Sequence, residues 1–304
     1  MSATRLLFCT YGKATGHIRR VNALVQGARS GALPCKIDVY APESKFRHLL
    51  RPEVTKVDRI EPYDYQGIII DQKIESFPTA CVVPGLRYFQ FVRLGTRLTV
   101  PPSLKDRLHR IFIERTGSEV PSKNFFGQLL DIDRMPYSPT VARMRLLDEY
   151  QLSIDGRAAL VFVNSPSAEI AERLLLQQIE TLSDDYDDLI VSTQHPSVMA
   201  VIKILKKKRV TGRIQHCEIN QIYRYLNAFQ LIVSGCGYNS YYEAALASVP
   251  KFLFNPLKFR DQQLRHKIRP TFWRVGNEEI IAQIARLSET RNHHGPARMR
   301  TSSM

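Results

Sequence analysis

The stretch Val233–Gln263, VSGCGYNSYYEAALASVPKFLFNPLKFRDQQ, decides how this chain is read. An apolar strand runs into Ser234-Gly235-Cys236-Gly237, a helix-forming segment follows from Tyr238 to Ala247, and a second apolar strand occupies Lys251–Phe254. The glycines let backbone N–H groups approach a ligand closely. The helix turns its positive end toward the same place, and the two together suit a diphosphate. Glu243 falls one to two turns into the helix, near enough to the ligand end to accept hydrogen bonds from ribose hydroxyls. Asp261, Gln262 and Gln263 follow the second strand, at the carboxyl edge where open α/β sheets bind ligands. Taken singly, the glycines make only a tight turn and Glu243 is a surface residue. Together they could grip ribose, phosphate and sugar.

Strands and helices alternate outward from this stretch. At the N-terminus, Arg5–Thr10 reads as a short buried strand, the loop YGKATG follows, and Ile18, Val21, Leu24, Val25 and Ala28 fall at helical spacing. Lys36–Tyr40 supplies the next strand and Ser44–Leu50 a short helix, so the opening is a βαβ unit of the kind that builds parallel sheets. Tyr65–Ile70 is a further strand, Asp71–Pro102 has no sustained period, and Leu104–Glu114 shows helical spacing at Leu104, Leu108, Ile111 and Phe112. The connection between domains is placed at Met135–Asp155. The alternation then restarts with strands at Ala158–Val163 and Asp188–Ser192, helices at Ala168–Ile179 and Ile219–Ala228, a strand around Leu231–Val233 and a last helix at Glu278–Leu287. The expected domains are 1–145, 146–290 and a disordered, apolar-poor tail at 291–304.

Composition narrows the function classes. The chain has 304 residues, 44% of them hydrophobic, and no apolar run near the roughly 20 residues that a membrane-spanning helix needs. Its five cysteines lack CxxC spacing and the N-terminus lacks the apolar region of a signal peptide, so a cytoplasmic location is expected. No local cluster of Cys, His and carboxylates has zinc spacing, and no metal or cofactor is expected. The net charge of +14 asks for nucleic acid, an anionic membrane or phosphate-bearing small molecules. The densest basic run, Lys203–Arg209, continues a helix-like segment without interleaved stacking aromatics, which counts against nucleic acid.

SGCGYNSYYEAALASVP followed by RDQQ resembles the donor-binding region of the MurG-like glycosyltransferases. There a Gly-rich turn, a ribose-binding Glu, a Val-Pro step and an acidic-Gln-Gln patch occur in this order. The N-terminal GKATGHIRR, Gly12–Arg20, is similar to that family's opening loop, in which a Gly-His pair begins the first helix. The resemblance implies a GT-B architecture, two Rossmann-like α/β domains facing across a cleft, with acceptor bound by the first and nucleotide sugar by the second. It makes His17 the candidate general base. The implied donor set is Gly16, Ser234, Gly235, Cys236, Gly237, Tyr238, Asn239, Glu243, Asp261, Gln262 and Gln263. The alternative for His17 is that it caps or packs the first helix, and Lys13, Arg19 and Arg20 either steer anionic groups or are solvated. Where the family has a Gly-Gly-Ser turn, this chain reads Val163-Asn164-Ser165-Pro166-Ser167. Ser165 and Ser167 are therefore candidates for phosphate binding, or simply an N-cap with Pro166 at the first helical position.

The function so implied is inverting transfer from a UDP-sugar, before dTDP- or GDP-sugars, to a hydroxyl of a lipid-linked or small-molecule acceptor. A lipid acceptor would fit the basic charge through contact with anionic membrane, with exposed aromatics between Phe77 and Phe91 entering the interface. The competitors are a nucleotide-sugar 2-epimerase, a non-catalytic partner subunit that keeps the donor fold, and a nucleic-acid-binding protein.

Overall fold

The computed structural model describes residues 3–12, 15–31, 34–71, 74–96, 98–114, 127–163, 182, 185–193, 213–247, 249, 251–255, 260–270 and 272–289. They form two α/β units, the first ending at Asp131 and resuming at Trp273, the second spanning Ile132–Phe272.

In the first unit six parallel strands lie in the order β3-β2-β1-β4-β5-β6. They are β1 (Thr4–Thr10), β2 (Cys35–Tyr40), β3 (Thr55–Val57), β4 (Gly67–Asp71), β5 (Arg87–Val92) and β6 (Leu108–Phe112). Parallel sheets are covered on both faces, and the central strands accordingly read as unbroken apolar runs. Leu6, Leu7, Phe8 and Cys9 of β1 and Ile68, Ile69 and Ile70 of β4 are fully buried, and the two strands pair with Phe8 opposite Ile69. Strand order reverses between β1 and β4, which places a topological switch point at their carboxyl ends.

The helix α1 (Thr15–Ser30) follows β1, and its partner is the last described helix, which is numbered α5 (Asn277–Glu289) in chain order. Gly27 of α1 lies so close to Asn277 that a Cβ there would overlap the Asn277 backbone. The Asn277 side chain accepts from the Leu130 N–H at 3.0 Å and donates to Gln26 Oε1 at 3.0 Å. Ile280, Ile281, Ile284 and Ala285 are buried.

The expected domain limits of 1–145 and 146–290 therefore need correction. The chain passes into the second unit at Ile132, and its last described helix returns to the first. The cause is packing: the apolar face of α5 is buried beside α1, whereas α2 (Pro139–Tyr150), inside the expected connector, packs Ala142 and Leu146 with Tyr223, Tyr225 and Leu226 of the second unit.

That second unit holds five parallel strands in the order β11-β10-β7-β8-β9. They are β7 (Ala158–Val163), β8 (Asp188–Thr193), β9 (Arg213–His216), β10 (Leu231–Gly235) and β11 (Lys251–Asn255). Order reverses again, between β7 and β10. The described helices here are α2, α3 (Tyr238–Ala245) and α4 (Arg260–Ile268).

Other local expectations change as well. The helix expected at Leu104–Glu114 is a 3₁₀ turn, Pro102–Leu104, followed by β6, because hydrogen bonding beside β5 sets Ile111 opposite Phe91 and overrides the helical spacing. Ser44–Leu50 and Ile219–Ala228 carry only 3₁₀ turns, at Arg47–Leu49 and Ile222–Ala228. The aromatics proposed to enter a membrane interface are core instead: Phe77, Tyr88, Phe89 and Phe91 are all buried. The helices expected at Ala168–Ile179 and through Lys203–Arg209, and the tail at 291–304, lie outside the described residues. No described helix is long and apolar enough to cross a membrane.

Candidate functional site

In the first unit the site is built at the β1–β4 switch point. β1 ends at Thr10, whose hydroxyl accepts the Gly12 N–H at 3.2 Å, and α1 then carries Gly16 and His17 in its first turn. β4 ends at Asp71, an acid closing an otherwise apolar strand. His17 and Asp71 meet there: Nδ1 lies 2.8 Å from Asp71 Oδ2, and both residues are buried. Arg20, one helical turn beyond His17, reaches the same carboxylate through Nη2 at 2.8 Å and Nε at 3.0 Å. Its Nη2 is also 3.0 Å from His17 Nδ1.

Burial disfavours a charged Asp71, yet Arg20 and then His17 outweigh it and hold the carboxyl well below its ordinary range. An ionised carboxylate can only accept, so its short contact with Nδ1 requires the proton there and leaves the lone pair on Nε2. Gly12 makes room for that edge of the ring, since a Cβ at this position would overlap the imidazole. Burial is the largest influence on the ring itself and lowers its affinity for a second proton; Asp71 opposes this, and Arg20 and Arg93 reinforce it. The result is a buried, neutral imidazole held by a carboxylate, able to take a proton at Nε2.

Sequence reasoning singled out His17 and did not single out Asp71. It left Arg20 as steering or solvated, whereas this side chain is 2% exposed and bound to Asp71. The available signal was the terminal acid of GIIID, at the edge where α/β sheets place ligand groups.

The second unit presents its own carboxyl edge at the β7–β10 switch point. Ser234 and Gly235 end β10, Cys236 and Gly237 form the turn, and Tyr238 and Asn239 open α3 with Gly237 at the N-cap position. Glu243 sits on the same helix and is 2% exposed, which excludes the surface-residue reading. Tyr238 is 3% exposed, with its ring 5.0 Å from that of Tyr242.

Asp261, Gln262 and Gln263 occupy the first turn of α4. A residue not singled out from sequence joins the two pieces. Arg265 of α4 is fully buried, donates to the Cys236 carbonyl at 2.6 Å and lies 3.7 Å from Asp261, so it ties the glycine turn to the helix bearing the glutamines. Ser165 and Ser167 lie outside the described residues.

Two Rossmann-like units, each with a candidate ligand edge at a switch point, define the GT-B class of fold. No family model and no curated protein matches the sequence. Solved structures do match. MurG of Acinetobacter baumannii aligns over 96% of this chain and 92% of its own, with a TM-score of 0.60 at 12% identity. The glycosyltransferase SnogD of Streptomyces nogalater covers 96% and 98%, at 0.53 and 12% identity. A glycosyltransferase from Rickettsia africae covers 96% and 94%, at 0.53 and 8% identity. The chain shares its fold, of the GT-B class, with these structures.

Proposed function

We propose that this chain is an inverting glycosyltransferase that moves a sugar from a nucleotide diphosphate sugar, UDP-sugars first, to a hydroxyl acceptor. The observation that carries the reading is the His17–Asp71 pair, with Nδ1 at 2.8 Å from the carboxylate and Nε2 left to act as base. Similarity of fold to two proteins described as glycosyltransferases, and to MurG, supports it.

In this reading Asp71 fixes the ring and stabilises the imidazolium that forms. Nε2 removes the acceptor hydroxyl proton as the oxygen attacks the anomeric carbon, and the bond to the diphosphate oxygen breaks on the opposite face, giving inversion. The amides of Gly235–Gly237 and the start of α3 stabilise the departing diphosphate, and Glu243 holds the ribose. The acceptor, lipid-linked or small, belongs to the unit that carries His17.

The test is a thermal-shift screen of the full chain against UDP, dTDP, GDP and their sugars, with and without chelator, repeated on Glu243→Ala. The expected result is a selective stabilisation, insensitive to chelator and weakened in the variant. No shift with any nucleotide would leave the non-catalytic subunit as the better reading.

A further inference from the structure

The proposed chemistry needs a histidine and a carboxylate, and it leaves a third buried charge unexplained. Arg20 lies on the core side of α1, 2% exposed, at the cost of removing a guanidinium from water. Its described partners are the two residues of the pair, and three of its four contacts there are to Asp71. A simple pair would leave the whole carboxylate charge to the imidazole and raise its affinity for protons. Here that charge is shared.

We infer that Arg20 is a positioning residue of this site: by gripping Asp71 through Nη2 at 2.8 Å and Nε at 3.0 Å it holds the carboxylate where it accepts from His17 Nδ1, and its charge beside the buried ring disfavours a second proton at Nε2. The inference rests on the reading of His17 as the base. Nδ1 has room for one proton, which Asp71 accepts at 2.8 Å, and the guanidinium beside it satisfies its own N–H groups on the same carboxylate.

A second proton at Nε2 would create a cation beside an existing one in a buried place. Among the described residues, the charged groups that act on the ring are Asp71 from the end of β4, Arg20 from α1 and Arg93 just beyond β5. Burial first, and these cations after it, keep the base neutral further into the acid range than a solvated histidine paired only with a carboxylate. The imidazolium forms only when an acceptor proton is delivered to it.

The measurement is a nitrogen-15 NMR titration of histidine-labelled full-length protein, with the His17 signals assigned by their loss in His17→Gln. In the wild type, His17 is expected as the Nδ1–H tautomer, still neutral below its ordinary protonation midpoint. In Arg20→Met the midpoint should rise by about one pH unit or more, with Arg20→Lys, which keeps the charge but not the fork, falling between.

The acid limb of the transfer rate should move with it. A folded Arg20→Met protein whose His17 midpoint is unmoved would overturn the inference. If that variant does not fold, the wild-type titration decides: the Nε2–H tautomer, or a midpoint at or above the ordinary value, overturns it equally. A shifted midpoint with no transfer to any acceptor would count against the transferase reading and leave the role of Arg20 in place.

Discussion

Asp71 Oδ2 lies 2.8 Å from Nδ1 of His17 although the residues are 54 positions apart in sequence. The contact exists because β4 lies beside β1 in a parallel sheet, so Asp71 ends level with Thr10, just before the loop that leads into α1. Fold and chemistry are joined at this point, since any sheet order that separated β1 from β4 would leave the histidine without its acid.

Replacing Asp71 by Asn tests that dependence most directly. The amide can present an N–H group to Nδ1, which favours the proton on Nε2 and removes the base. Turnover is expected to fall by about 10²–10⁴-fold with donor affinity unchanged. Arg20 would lose its buried counter-ion, at about 3–5 kcal/mol if the pair behaves as other buried ion pairs do. Steady-state kinetics beside a urea melt would separate the two effects, and unchanged turnover in a folded variant would refute the assignment.

Gly12→Ala tests the space around the ring. Gly12 is not among the positive-φ glycines, so alanine meets no backbone strain, but its Cβ would overlap the imidazole. The ring has to turn away from Asp71. A misplacement of this size is expected to lower turnover about 10²-fold while far-UV circular dichroism stays that of the wild type. Full activity would mean that the ring can work from another position.

How much of this was legible in the sequence follows from burial. The central strands of both sheets were readable as continuous apolar runs, LLFCT, GIII and AALVFV, because parallel strands are covered on both faces. The edge strands Thr55–Val57 and Arg213–His216 were not, being short and only partly buried. Glu243 and the Gly235–Gly237 turn could be proposed from sequence because their signal is local, one strand end and one helix. Asp71, Arg20 and Arg265 act through partners brought in by the fold, and an arginine in a sequence looks solvated until its buried acceptor is known.

Arg265 yields a prediction for the second unit. Its guanidinium is fully buried and binds the Cys236 carbonyl at 2.6 Å, so Arg265→Met should loosen the glycine turn. A lost charged hydrogen bond of this kind costs about 1.5–3 kcal/mol, and donor affinity should fall with stability. Calorimetry with UDP beside chemical unfolding would read both, and the idea fails if neither quantity moves.

Stability should also depend on pH in a definite way. The His17 midpoint is lowered on folding, chiefly by burial, and those of His109 and His216 are lowered too, again chiefly by burial. Between these folded values and the ordinary 6.5 the unfolded chain binds more protons, so stability is fully present above that pH and is lost as pH falls through the folded midpoints. Tyr65 and Cys35 go the other way, each pushed up to about 12 mainly by burial. Their contribution is complete below the unfolded values of 10.0 and 9.0 and declines as pH rises toward 12. Melting temperature measured across pH should therefore show a plateau from about 7 to 8.5, with a fall on each side. His17→Gln should make the acid-side fall shallower without altering the alkaline side. An acid limb of the same steepness in that variant would show that His17 does not gain its charge on unfolding, and that the ring is already protonated in the folded protein.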